Sequence, residues 1–127
     1  GTIDAALDGK ESQTSYVRLF QGGGVALLAV YPLTGRMHQI RQHFRLIGHP
    51  ILGDKRYGGR KLSGFTGHAL HSFRTTLVHP ATNEEIDIPA PLPEPLLRLA
   101  TRCGAVSDES FLKTLDDVPA AEALALS

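Results

Sequence analysis

Residues Pro32–Pro50 read PLTGRMHQIRQHFRLIGHP, and the periodicity of this stretch decides the fold. Thr34 is suited to cap the N-terminus of a helix. Met37, Ile40, Phe44 and Ile47 follow at helical spacing, and Gly48 with Pro50 just beyond it is a stop signal. At about 100° per residue, Arg41 falls beside Met37 and Phe44 on the flank of the apolar face, with Arg45 further toward solvent.

Upstream of this helix, TSYVRLF (Thr14–Phe20) alternates as a strand does, Gln21–Gly24 is a turn, and VALLAVY (Val25–Tyr31) is a second strand, so the three make a hairpin. The second strand is apolar almost throughout and is expected to be buried on both faces. Residues 1–13 have little periodicity and read as a loose lead-in. Downstream, Ile51–Gly67 is Gly-rich and basic and reads as an exposed loop. His68–His79 is a strand, PATNE turns the chain, Glu85–Ala90 pairs back, APLPEP is a rigid exit, and LLRLATRC is a short helix. The tail, 103–127, is acidic and Ala/Leu-rich, with a helix expected at Glu109–Leu115. The fold class is α+β, a mostly antiparallel sheet with packed helices.

The chain has 127 residues, enough for one domain or a piece of one. A single cysteine, Cys103, excludes an internal disulfide framework and a Cys-rich zinc site. No apolar run approaches the roughly 18 residues a membrane helix needs, so no membrane partner is expected. The formal net charge is zero but unevenly spread. Arg36–Ala81 holds eight Lys/Arg and one acid, Asp54, while Thr82–Ser127 holds three Lys/Arg and nine acids. The basic block suits a polyanion, but charge patterning is a weak signal and by itself favours a solvated surface.

Three stretches in order carry a family resemblance: TGRMHQIRQHF running into IGHPILGDKRYGG, then ALHSFRTTLVHPATNE, then APLP. They resemble the RluA-like RNA pseudouridine synthases over roughly Ser12 to Arg102. The resemblance makes 14–102 the C-terminal part of a pseudouridine synthase catalytic domain, with 1–13 its lead-in. It implies isomerisation of uridine to pseudouridine in ribosomal or transfer RNA, with the nucleotide flipped from the stack, no cofactor, no metal and a cytoplasmic setting. In the family an aspartate acts on the ribose and an arginine pairs with it. That aspartate belongs to an HRLD motif upstream, which this chain does not contain. Asp8 lacks the preceding His-Arg, and Asp54 belongs to the GHPILGD segment, a separate position. The stacking tyrosine also belongs upstream, so Tyr16, Tyr31 and Tyr57 do not inherit that role. A fragment is expected, inactive by itself; the alternative is a non-catalytic RNA-binding module on the same scaffold.

The resemblance assigns Arg41 as the partner of the absent aspartate. The bottom-up reading agrees, because a cation at the edge of an apolar face is partly desolvated and would hold an opposing carboxylate ionised. An arginine snorkelling along the core edge is the bland reading. Leu70 matches an apolar residue beside the pocket, and an ordinary core leucine would look the same. Arg36, at the start of the helix, and Lys55, Arg56, Arg60 and Lys61, interleaved with Tyr57, are candidate RNA contacts or a solvated loop. Thr34 and Gly35 read equally as plain capping, and His38 and Gln39 as a hydrogen-bonded scaffold between helix and sheet. Six histidines invite a metal, but His38 and His43 are poorly spaced for one helical face, and His68 and His71 would face opposite sides of a strand. Finally, the uncharged strand Val25–Tyr31 presents an apolar edge or face, so a fragment is expected to self-associate as a dimer, by strand pairing or by packing an uncovered sheet face onto a second copy.

Overall fold

The computed structural model describes residues 1–22, 24–61, 65–72, 74–78, 80–89, 93–102 and 123–126, and of 22, 74–78, 87–89 and 123–126 the backbone alone. The hairpin is present and longer than its alternation suggests: β2 is Gln13–Gly22 and β3 is Val25–Pro32, paired antiparallel. The register slips between Arg18 and Phe20, so β2 carries a bulge at Leu19. A bulge re-aims the strand, and consecutive Leu19 and Phe20 both pack against the core. Leu27, Leu28, Ala29 and Val30 are buried in succession, as expected for a strand covered on both faces.

The lead-in is ordered, contrary to expectation. Thr2–Asp4 forms β1 and pairs antiparallel with β2, with Ile3 at the core. Three residues are too few to display a period, which is why the pattern was silent here. The helix also departs from the reading. It spans Gln39–Leu46 (α1), its N-cap is His38 in a left-handed conformation, and Thr34 caps nothing. Thr34 Oγ1 instead accepts the Gln13 backbone N–H and donates to Gln39 Oε1. Met37 lies before the helix and is 75% exposed, and Ile47 is exposed as well. The buried face of α1 is Gln39, His43 and Phe44, with Ile40 packed at its side. Phe44 meets Tyr16 of β2 edge to face at 5.4 Å.

The strand expected over His68–His79 is two strands in different sheets. Leu70–Ser72 (β4) belongs to the main sheet, whereas Arg74–Val78 (β5) pairs with Glu85–Pro89 (β6) in a separate two-stranded sheet. Phe73, His79 and Ala90 lie outside the described residues. The short helix is Glu94–Arg102 (α2), which buries Leu96, Leu99 and Ala100 in the shared core. The tail helix expected at Glu109–Leu115 also lies outside them, but the extreme of the tail is no helix: Ala123–Leu126 is a strand, β7. It inserts between β3 and β4, giving the order β1-β2-β3-β7-β4 with antiparallel neighbours throughout. Leu27–Val30 of β3 is thereby paired with the chain's own tail. The apolar edge on which dimerisation was expected is occupied, and nothing in the fold supports self-association by that route.

Candidate functional site

Three polar residues hold α1 to the hairpin. The Gln39 amide accepts from Thr34 Oγ1 at 2.6 Å and from the Arg36 backbone N–H at 3.0 Å. It donates to the Gln13 carbonyl at 2.8 Å and to Thr14 Oγ1 at 3.0 Å. Thr14 Oγ1 lies 2.7 Å from His43 Nδ1, and His43 Nε2 donates to the Ala5 carbonyl at 2.9 Å. A proton on Nε2 leaves Nδ1 to accept from Thr14, so the chain of donors runs in one direction and every member is satisfied. The scaffold expected of His38 and Gln39 is thus built by Gln39 and His43. His38 turns the other way, its Nδ1 3.1 Å from the Tyr57 hydroxyl.

The Gly-rich segment is folded back on itself, and its first third is buried. Ile51, Leu52 and Asp54 are within the core, and Lys55–Tyr57 makes a single 3-10 turn. Two glycines permit the closure. A Cβ on Gly59 would strike the Ile51 carbonyl, and one on Gly53, which sits at positive φ, would strike the Gly67 carbonyl. The Gly59 N–H donates to the Asp54 carbonyl at 2.7 Å, and the Gly53 N–H to the Arg60 carbonyl at 2.8 Å. The expectation of an exposed loop therefore holds for its basic side chains, since Lys55, Arg56, Arg60 and Lys61 are all exposed, and for Gly58, Thr66 and Gly67, but not for its buried start.

This closure delivers Asp54 to Arg41. The guanidinium forms a two-pronged pair with the carboxylate, Nε to Oδ2 at 2.8 Å and Nη2 to Oδ1 at 2.8 Å. The Asp54 side chain is fully buried and that of Arg41 is 16% exposed. Hydrogen bonding to Arg41 and its positive charge, against the opposing effect of burial, hold the Asp54 carboxyl below its usual range. The same bond raises Arg41 further. Tyr57 lies under the guanidinium, 5.1 Å from ring centre to Arg41 Cζ, and Arg56 approaches the ring at 5.6 Å. Of the five N–H donors of Arg41, Asp54 takes two. The two on Nη1 and one on Nη2 have no acceptor among the described residues.

Two clefts meet at Arg41. One, of about 390 Å³, has Thr34, His38, Arg41, His68 and Leu70 among its lining residues. The other, about 440 Å³, is bounded by Lys55, Arg56, Lys61, Phe65 and His68. Of the residues singled out from the sequence, Arg36, Arg41 and Leu70 line the first cleft, and Lys55, Arg56 and Lys61 line the second beside Arg41. Arg36 Nε is engaged by the Glu11 carbonyl at 3.0 Å. Arg60 lines neither of these two clefts. The sequence reading set Asp54 aside and missed the Tyr57 platform. A signal was there: Asp54 is the one acid among eight bases between Arg36 and Ala81. Among the described residues no group of three His, Cys, Asp or Glu converges on a metal position, and no helix is long and apolar enough to cross a membrane.

No family model matches the chain. Individual relatives do. It is 38% identical over 113 residues to the uncharacterized RNA pseudouridine synthase YlyB of Bacillus subtilis, covering 78% of this chain and 37% of that protein. It is 37% identical over 101 residues to the ribosomal large subunit pseudouridine synthase C of Vibrio cholerae, covering 75% and 32%. It is 42% identical over 79 residues to the ribosomal large subunit pseudouridine synthase D of Haemophilus influenzae, covering 52% and 24%. The aligned part spans about a third of the length of the first two of these curated relatives.

Proposed function

The chain belongs to the RluA-like family of RNA pseudouridine synthases, and from this we propose that it forms the C-terminal part of a catalytic domain that isomerises uridine to pseudouridine in ribosomal or transfer RNA. In that isomerisation the N1–C1′ bond breaks, the base turns, and a C5–C1′ bond forms. C5 loses a proton and N1 gains one, so the reaction is redox-neutral and calls for no cofactor. Arg41 pairs with an aspartate supplied from outside the chain described here, Leu70 forms an apolar wall of the pocket, and Arg36, Lys55, Arg56, Arg60 and Lys61 hold the RNA backbone. The substrate places the protein in the cytoplasm. By itself the chain binds RNA without turning it over.

The observation that carries this reading is the half-spent guanidinium. Arg41 sits where two clefts meet, partly desolvated, with three N–H donors that no acceptor among the described residues takes. A second carboxylate meeting those donors would be held ionised and oriented, which is what an aspartate acting on C1′ requires. The test is Arg41→Met in the complete protein. Turnover, scored as pseudouridine by mass spectrometry, is expected to fall by roughly 100-fold or more, with RNA affinity nearly intact. A normal single-turnover rate with weakened binding would make Arg41 a phosphate contact instead. A second reading, an RNA-binding module without catalysis, is favoured by the basic wall of the second cleft. It predicts salt-sensitive RNA binding by a complete protein that makes no pseudouridine.

A further inference from the structure

Arg41 could serve a pocket from many rotamers, since four torsions separate its guanidinium from the backbone. In this fold it has one. Asp54 grips it side-on through Nε and Nη2, and Tyr57 supports its face at 5.1 Å. Tyr57 is itself steered, because its hydroxyl lies 3.1 Å from His38 Nδ1 and the two rings meet edge to face at 6.0 Å. His38 is the left-handed residue that starts the helix carrying Arg41. The Asp54 side of the clamp is equally fixed, since the Gly59 N–H closes onto the Asp54 carbonyl and Asp54 N–H onto the Ile51 carbonyl at 3.1 Å. The contacts form a closed ring from α1 through the 3-10 turn and back to α1.

We infer that Asp54 and Tyr57 are positioning residues that fix the guanidinium of Arg41, so that its three remaining donors face the cleft before any substrate or second carboxylate arrives. This deepens the proposed role of Arg41 and rests on it. The geometry favours a role beyond stability for a simple reason. A buried ion pair is seldom worth more to folding than apolar side chains of the same size. Here the carboxylate is fully enclosed while the Arg41 side chain stays 16% exposed and lines both clefts, so the pair is arranged to present one partner. Pre-set orientation is worth a great deal in catalysis, and a displacement of about 1 Å costs on the order of 100-fold.

The experiment is a double-mutant cycle on turnover in the complete protein, with thermal unfolding followed for each variant. Asp54→Asn keeps the shape but removes the charge that orients Nε and Nη2. It is expected to lower kcat about 100-fold with KM little changed, and to cost nothing further when Arg41 is already Met, because the two act as a unit. An equal loss in the wild-type and Arg41→Met backgrounds, or an unchanged kcat, would overturn the proposal. Normal turnover by Arg41→Met alone would overturn the underlying reading of Arg41 and not the clamp as such. Should Asp54→Asn fail to fold, the pair Tyr57→Phe and Tyr57→Leu decides. Phe keeps the platform and loses only the link to His38, so Leu is expected to lower kcat by clearly more than Phe. Equal values for the two would sink the platform role.

Discussion

The strand β3 of the hairpin and the corner where α1 meets the glycine-rich turn both bury side chains, but of different kinds. The hairpin buries Val25, Leu27, Leu28, Ala29 and Val30, groups that ask only to leave water. The corner buries Phe44, Ile51 and Leu52 too, but among them it encloses Gln39, His43 and Asp54. With Ser12, just before β2, and Thr14, within it, these are groups that each demand a partner. Apolar burial is tolerant of geometry. Polar burial fixes direction, and a site that must hold a guanidinium to a fraction of an ångström is built from the second kind.

That contrast is broken most severely at Asp54. Asp54→Ala leaves Arg41 as a largely desolvated charge without its carboxylate, and is expected to destabilise the protein by about 3–5 kcal/mol in denaturant unfolding. The pH dependence has a definite sign. The folded-state pKa of Asp54 lies below its ordinary value of 3.8, so its contribution is fully present above that value and is lost as pH falls through the depressed one. Wild-type stability therefore falls in the acid range, and the Asp54→Ala protein shows a flatter acid limb. A variant with an unchanged acid limb would show that the pair adds nothing to folding.

A smaller effect is expected at the other end of the polar corner. Thr14→Val preserves shape but leaves His43 Nδ1 without a donor and one Gln39 N–H without an acceptor. About 1–3 kcal/mol is the cost of such unpaired buried groups. The control is Val17→Thr three residues along the same strand, at a position 52% exposed, which is expected to stay within about 0.5 kcal/mol of wild type. Equal losses at the two positions would mean that the corner is no more direction-sensitive than the open face of the hairpin.

The same contrast explains what the sequence disclosed. Alternation and apolar runs gave the hairpin, β6 and α2, because one-body burial leaves a period. The TGRMHQIR stretch gave the position of α1 and of Arg41. It did not give the helix start, because Thr34 has the chemistry of a cap while its hydroxyl goes to Gln13 and Gln39, partners 21 residues upstream and five downstream. Nor did it give the buried face, since Gln39 and His43 are polar by type and reach the core through partners far away in the chain. Asp54 was hidden for the same reason, its meaning lying 13 residues away at Arg41. Met37 and Ile47 misled in the opposite sense, apolar by type and exposed in fact.

The last expected change is one of association, and it attaches to β7. Ala123–Leu126 gives its backbone to β3 on one side and to β4 on the other. Besides closing those two ladders, β7 governs the edges of the sheet. With β7 in place the sheet ends in β1 and β4, each only three residues long, and short edge strands offer a poor template to another chain. Without β7, the eight-residue strand β3 exposes its backbone N–H and C=O groups beside an uncharged apolar run. Removal of 119–127 is therefore expected to make the protein self-associate with rising concentration, as read by sedimentation equilibrium. Charged residues placed at Leu28 and Val30 would not serve as the test, because both side chains are buried in the core. A truncated protein that stays at one mass across the concentration range would mean that the β3 edge is shielded by something other than β7, and would take from the tail the protective role its register implies.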